Sequence, residues 1–372
     1  MKKNEFLDAL RRRIAALPAE DIERSLDYYS EIIDDCMEDG MTEDEAVEQV
    51  GSVEQAAANI LDEMPAGSLV SAPQEERRIA PSYMSESFDS IRIEDTESDV
   101  LFIPSADGCC DIEWSEKLPH TVTVENGVLT VRRQTERKWF QRISLHGEQA
   151  KLFVRIPAGE YNDLFVSTAS GDVRIPAEFA FRTAEVTSAS GDVEMFANVG
   201  RKLRAKSVSG DVKVNKLTAG EMELSSVSGD VECAFVRVGG GLTIKTVSGD
   251  IELNTANCAS LGAKTVSGDA KLCDAVAEEL NASSISGDVS LTSVIISAGM
   301  NIQTTSGEVR LTGSDGGEIN IKTSSGSVHG TLLSGKMFHC TSRSGSVNTP
   351  APTPGGICRV SSGSGSIKLK VE

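Results

Sequence analysis

Ser207-Val208-Ser209-Gly210-Asp211-Val212, Ser226-Val227-Ser228-Gly229-Asp230-Val231 and Thr246-Val247-Ser248-Gly249-Asp250-Ile251 are successive copies of one pattern, spaced 19 or 20 residues apart. The Ser-Gly pair recurs with glycines at 171, 191, 210, 229, 249, 268, 287, 307, 326, 345 and 365, which makes eleven units. A fixed period of this length is the mark of a stacked repeat. Seven residues before the glycine the chain is mostly apolar, as in Leu164, Leu203, Leu242, Leu261 and Leu280. Five before, it is small or apolar, as in Val186, Ile244, Ile302 and Ile321. Two and four after, it is apolar again: Val212 and Val214, Ile251 and Leu253, Val289 and Leu291. A period of two marks strands, so each unit carries two short strands hinged near the Ser-Gly pair. A third apolar spot seven to nine residues after the glycine, at Leu217, Val236, Val276, Val294 and Leu333, suggests a third side.

One unit cannot bury its own apolar face, so the units must stack and pair strands with the coil above and below. The expected fold is mainly β: a parallel β-solenoid of about eleven coils of 19–20 residues, on the order of 50 Å long at the usual strand spacing. Aromatic residues make up only 5% of the chain, which suits a thin interior filled by small side chains. Open ends expose strand edges, so residues 88–160 are expected to form an irregular β cap with the first coils, ahead of the solenoid proper at 161–372. No cap is evident after Glu372, and self-association through the solenoid ends is an expected possibility.

Three polar columns accompany the repeat. Ser or Thr stands three residues before every glycine (Thr168, Ser188, Ser207, Ser226, Thr246, Thr265, Ser284, Thr304, Thr323, Ser342, Ser362), and Ser one before. If the strand phase runs straight, these hydroxyls point inward and form ladders along the stack. If it slips, Val208, Val227, Val247, Val266 and Ile285 turn inward and the hydroxyls make a flat outer face. After the glycine comes an acid column, Asp172, Asp192, Asp211, Asp230, Asp250, Asp269, Asp288 and Glu308, giving way to Ser327, Ser346 and Ser366. Stacked like charges repel unless relieved, so Asp172 to Asp288 form a candidate calcium column. The alternative is that each short side chain accepts backbone amides in a turn, as the late serines can also do. Calcium-binding rolls use nine-residue Gly-rich repeats, a spacing this chain lacks.

Outside the repeat, residues 1–63 carry Phe6, Leu7, Leu10, Ile14 and Leu17 at helical spacing, then Pro18 and a second run through Ile22, Leu26, Tyr29, Ile33 and Met37. Thr42-Glu43-Asp44-Glu45 and Ser52-Val53-Glu54-Gln55 are capping boxes that open two further short helices. With six bases and eighteen acids, this segment supplies −12 of the net charge of 36 − 56 = −20. It is an acidic all-α module. Residues 64–87, rich in Pro and Ser, read as a linker.

The acidic balance argues against direct binding to nucleic acid or to an anionic membrane. No run approaches the roughly 18 apolar residues of a membrane helix, and Met1-Lys2-Lys3-Asn4-Glu5 leads into an acid-bearing segment rather than a signal core. A cytoplasmic chain is expected, with the cell surface by a non-classical route as the alternative. Eight scattered cysteines, without a metal-ligand spacing, read as buried free thiols; the adjacent Cys109 and Cys110 are placed in a turn. His120, His146, His329 and His339 belong to no nucleophile, zinc or phosphate-loop motif and read as surface residues. No catalytic residue, cofactor or metal is therefore assigned. The least regular stretch is basic and aromatic: Arg132, Arg133, Arg137, Lys138, Trp139, Phe140 and Arg142. It is either a docking site for an acidic partner or an exposed loop of the cap.

Residues 1–63, through Lys2-Lys3-Asn4-Glu5-Phe6-Leu7, Leu17-Pro18, Asp27-Tyr28-Tyr29 and Ala46-Val47 to Gly51-Ser52, resemble the HAAS signalling domain. The resemblance implies a small cytoplasmic helical module, often encoded beside PadR-like transcriptional regulators. Residues 88–372, from Val154-Arg155-Ile156-Pro157-Ala158-Gly159 into the Ser-Gly-Asp-Val units, resemble the putative-adhesin β-strand-repeat family of bacterial proteins. That family has no established catalytic residues to carry over. Together the residues and the resemblances point to a non-catalytic bacterial interaction or scaffold protein, whose helical module docks a protein partner, a PadR-like regulator being the family-derived candidate. An exported adhesin-like surface-binding protein is the alternative, and a carbohydrate-active β-helix enzyme the third. The last would need acids and bases converging on one flank, which repetition disfavours.

Overall fold

The computed structural model describes residues 2–13, separate positions between 25 and 56, and 77–79, 83–84, 88–115, 118–134 and 150–372. The chain divides into two compact units, Met1–Glu76 and Arg77–Glu372. In the first, the helix Lys3–Arg13 places Phe6 and Leu10 one turn apart on the same stripe, and both are fully buried. Leu26, Tyr29, Ile33, Val47, Val53 and Ala56 complete that core. Ile14, Leu17, Ile22 and Met37 lie outside the described residues.

The second unit is a parallel β-solenoid of about ten turns. Equivalent residues stack in register: Leu203 on Met222, Met222 on Leu242, Leu242 on Leu261, Leu261 on Leu280 and Leu280 on Met300. The second strand of each rung does the same, with Val212 on Val231, Val231 on Ile251 and Ile251 on Ala270. The inward residues of both strands are almost completely buried and form one continuous apolar column.

The corner between the two strands is set by contact rather than by apolar packing. A Cβ built on Gly229 would lie 2.2 Å from the carbonyl oxygen of Gly210, and one on Gly210 would lie 2.2 Å from that of Gly191. No other residue fits where each Cα rests on the carbonyl below.

A second corner follows six residues after the glycine. Lys216, Phe235, Thr255, Asp274 and Ser293 all adopt left-handed backbone angles, φ between 51° and 58°, as does Gly313 at 54°. This reverses the inward–outward alternation by one step, so the next residue points in: Leu217, Val236, Ala275, Val294 and Ser314 are buried. The reading of the third side therefore needs two corrections. Val276, one residue beyond the inward position, is 48% exposed. Leu333 is 45% exposed because the strand Val328–Leu332 runs on without a left-handed residue, and Leu332 fills the interior instead.

Stacking follows chain order only in the middle. The Ser-Gly corners run in single file from Gly171 to Gly326, but Gly365 then rests on Gly326, and Gly345 on Gly365. Correspondingly, Ile357–Ser362 and Ile367–Val371 sit between the preceding rung and the outermost strands Met337–Ser342 and Val347–Asn348. The beginning mirrors this. Ser90–Glu94 and Asp99–Ser105 are an inner rung, flanked on one side by Gly159–Ser167 and Val173–Ile175, and on the other by Val128–Arg133 and Lys151–Pro157. Antiparallel strands then close this end: His120–Glu125 covers Val128–Arg133, and Cys109–Ser115 covers Lys151–Pro157. Arg77–Ile79 and Tyr83–Met84, within the stretch read as a linker, form strands on Cys109–Ser115.

Gly229→Ala is expected to destabilise the solenoid by about 2–4 kcal/mol, because its methyl group would overlap a backbone oxygen that cannot move without its rung. Gly200→Ala, whose Cβ would sit 3.9 Å from its nearest neighbour, should change stability little. Urea unfolding of the two variants gives the comparison.

Candidate functional site

The three polar columns were the sequence's best candidates for a functional face, and they occupy different sides of the corner. The hydroxyls three before the glycine point inward. Ser226 is 4% exposed; its Oγ donates to the Gly210 carbonyl at 2.9 Å and accepts from the Gly229 amide at 3.0 Å. Ser207 makes the same pair of bonds to Gly191 and Gly210. These hydroxyls satisfy the backbone groups that the glycine contact buries, so this column is structural. The chain then bends, and the next two residues both face outward. Val208, Val227, Val247 and Ile285 are 43–50% exposed, and the serines one before the glycine are exposed beside them. The expectation that both hydroxyl columns share one face thus fails for the outer one.

The acid column is a second ladder. Asp211 Oδ1 accepts from the Asp230 amide at 2.8 Å, Asp230 Oδ1 from the Asp250 amide at 2.7 Å, and Asp250 Oδ1 from the Asp269 amide at 2.8 Å. The ladder begins at Asp99, which accepts from the Asp172 amide, and ends at Asp288, which accepts from the Glu308 amide. In the serine rungs Ser327 Oγ takes over, accepting from the Ser366 amide at 3.2 Å. Part of the charge is offset on the outer side, where Asp288 meets Arg310 at 3.3 Å and Asp211 meets Lys213 at 3.8 Å. Among the described residues no three His, Cys, Asp or Glu side chains converge as a metal site.

A buried Asp–His pair lies at the capped end. Asp95 occupies the hydroxyl position of its rung, as Ser98 occupies the glycine position, its carbonyl lying against Gly171. Asp95 Oδ1 accepts from the amides of Thr96, Glu97 and Ser98. Its Oδ2 lies 2.6 Å from His120 Nε2, and neither side chain is exposed. The His120 ring packs against Trp114 with centroids 5.7 Å apart. Burial pushes the Asp95 carboxyl up, but His120 and the Ser98 and Glu97 amides outweigh it and hold the group at about 2. The reading of His120 as a surface residue is thereby corrected. Enclosed on all sides, this pair has no access to a substrate and serves the cap.

The basic stretch is described only at its start. Arg132 Nε donates to Glu94 at 2.7 Å and Arg133 reaches the Pro119 carbonyl at 3.5 Å, both at the rim of the cap. Arg137, Lys138, Trp139, Phe140 and Arg142 lie outside the described residues. Cys109, Cys110, Cys233, Cys258, Cys273, Cys340 and Cys358 are free thiols. Cys109 and Cys110 begin a strand rather than sitting in the turn before it, and burial pushes the Cys110 thiol up to about 12. Two open grooves run across the flanks. One, of about 790 Å³, is lined by Asp163, Phe165, Glu185, Arg201, Lys202 and Arg204. The other, of about 540 Å³, is lined by Lys216, Phe235, Arg237, Asp274 and Val276. Neither contains a histidine or cysteine, and Arg204 in the first is already held by Glu223 at 3.0 Å. The described surface of the solenoid offers repeated, evenly spaced groups.

Comparison with known proteins follows the same division of the chain. The family model of Toastrack DUF4097 matches residues 88–273 and 237–372. The chain belongs to this Toastrack family. The HAAS family model matches residues 5–59, ahead of the Toastrack solenoid, so both sequence resemblances are found. No protein of curated function matches. Among solved structures, a "putative adhesin" from Parabacteroides distasonis is 15% identical, covering 69% of this chain and 98% of its own, with a TM-score of 0.39. A "putative adhesin" from Parabacteroides merdae is 13% identical, covering 80% and 97%, with a TM-score of 0.35. A "putative lipid binding protein" from Parabacteroides distasonis is 18% identical, covering 79% and 96%, with a TM-score of 0.32. No helix among the described residues of this Toastrack chain is long and apolar enough to cross a membrane.

Asp95 has a folded-state pKa of about 2 against an ordinary 3.8, so its stabilisation is complete above pH 4 and is lost as the pH falls through 2. Asp95→Asn should therefore cost about 2 kcal/mol at neutral pH, and this difference from the wild type should vanish near pH 2. Urea titrations at several pH values measure it. A difference that persists undiminished into acid would count against the stabilised Asp95 carboxylate.

Proposed function

We propose that the chain is a non-catalytic bacterial interaction protein, in which the helical unit docks a protein partner and the solenoid is a stiff scaffold. The observation that carries this reading is the division of labour. A HAAS match falls on a unit with its own apolar core, and the solenoid that follows it in the chain repeats the same outward groups rung after rung. Catalysis requires different groups converging on one point, whereas translation by one rung reproduces like groups in a row. A PadR-like transcriptional regulator is the partner that the HAAS resemblance suggests, and the acidic composition of that segment suits a basic one. The described part of the basic stretch, Arg132 and Arg133, lies on the cap and is a secondary docking candidate. The cytoplasm is the compartment consistent with such a partner.

The exposed ridge of Val208, Val227, Val247 and Ile285 favours a second reading, a surface-binding rod of adhesin type. Cell fractionation separates the two, since only this reading places the protein outside the membrane. The first is tested by deleting residues 1–63 and measuring binding to a co-expressed PadR-like regulator. The full chain should bind and the truncated solenoid should not. Equal binding by both would overturn docking through the helical unit.

A further inference from the structure

The two ends of the solenoid are finished differently. At the beginning, both outer strands carry antiparallel partners, so no parallel edge is left open. At the far end, Met337–Ser342 and Val347–Asn348 pair inward only, and no described strand lies on their outer side. The interior is correspondingly unfinished there. In the rung beneath, Cys358, Val360 and Ile367 are at most 1% exposed. In the outermost rung, their equivalents Phe338 and Cys340 are half-buried and Val347 is 43% exposed.

The two outer strands are not equally available. After Val347–Asn348 the chain runs through Pro350, Pro352 and Pro354, which lack amide donors and blunt that side. Met337-Phe338-His339-Cys340-Thr341-Ser342 contains neither proline nor any Lys, Arg, Asp or Glu. The Met337 and Arg343 amides bond to the rung beneath. By strand alternation, the N–H and C=O of Phe338, Cys340 and Ser342 therefore face outward, where no described strand pairs with them.

We propose that a second copy of this chain docks here, the two Met337–Ser342 strands pairing antiparallel across a two-fold axis at Cys340. Three features select a second copy over another occupant. At the opposite end the outermost strand His120–Glu125 runs antiparallel to its neighbour, so it does not present the parallel rung edge that a head-to-tail stack would continue, whereas a self-complementary contact uses this edge on both copies. The strand is uncharged, so bringing two copies together opposes no like charges within it. Its register also matches itself. Centring on Cys340 sets Phe338 of one copy against Ser342 of the other, inward residue against inward residue, and every outward-facing N–H meets a carbonyl. The two apolar interiors then become continuous, covering Phe338 and Cys340. This inference is independent of the helical unit and its partner.

The geometry supplies its own probe. Opposed residues in a hydrogen-bonded antiparallel pair have Cα atoms about 5.5 Å apart, within disulfide range. A hydrogen bond from the Cys358 thiol holds the Cys340 thiol below its ordinary range, which favours its reaction. Oxidation by copper-phenanthroline of the full chain carrying Cys358→Ser, which removes the thiol that would otherwise close an internal disulfide with Cys340, should give a covalent dimer joined at Cys340, the oxidant accepting the two electrons as both Cys340 thiols lose their protons. In sedimentation velocity over a roughly hundredfold concentration range the reduced chain should be a dimer. His339→Lys/Thr341→Lys, both at exposed positions, should weaken it about tenfold or more by opposing lysines across the axis. A chain monomeric throughout would overturn the proposal, as would a dimer indifferent to the lysines or a covalent dimer that forms equally in Cys340→Ser. Circular dichroism confirms that the lysine variant is folded, and the Cys340 cross-link in the Cys358→Ser chain without the lysines decides the matter if it is not.

Discussion

Everything in the solenoid depends on a backbone contact in which the Cα of one corner glycine rests on the carbonyl of the glycine below. It brings the corners so close that side chains are excluded from the axis, and it buries polar backbone that must find partners elsewhere. The Ser or Thr three residues earlier supplies an inward hydroxyl that bonds one glycine as acceptor and the other as donor. The Asp one residue later reaches along the stack to the next amide. These partners have little freedom to vary, which is why the repeat is most uniform here. Seven residues before, Leu, Met and Ile interchange, because that position needs only apolar volume.

That difference explains how far the residues themselves disclosed the architecture. The two strands of each rung, their stacking and the inward hydroxyls could be read from a period of 19 or 20 and an alternation of two. The outward ridge required the coordinates, because the alternation breaks at Val208 and its equivalents and both neighbours of the bend face solvent. The third side was misread at Val276 and Leu333 for a similar reason. Its left-handed corner is occupied by Lys216, Phe235, Thr255 and Ser293, residue types that give no warning of a positive φ, and only Asp274 and Gly313 do. The Asp95–His120 pair had a signal that alignment of the rungs supplies: Asp95 stands where later rungs carry Ser or Thr.

Rung order could not be read at all. A coil inserted out of turn carries the same Ser-Gly corner and the same apolar columns as one that follows its predecessor, so Gly345 and Gly365 look interchangeable in the sequence. The structure shows that each end is covered by a rung from further inside the chain. At the beginning this rung is covered by antiparallel strands, one of which opens with the buried His120, whereas no described strand covers the far rung. A repeated sequence therefore produces an object with two distinct poles.

The exchanged rungs also bear on how the molecule is made. A ribosome releases residues 337–348 before residues 357–371, yet the earlier segment rests on the later one and touches the growing stack only through it. Assembly can advance coil by coil during synthesis as far as the rung of Gly326, after which it must pause. The waiting segment can take its place only once the strands that belong beneath it have been made.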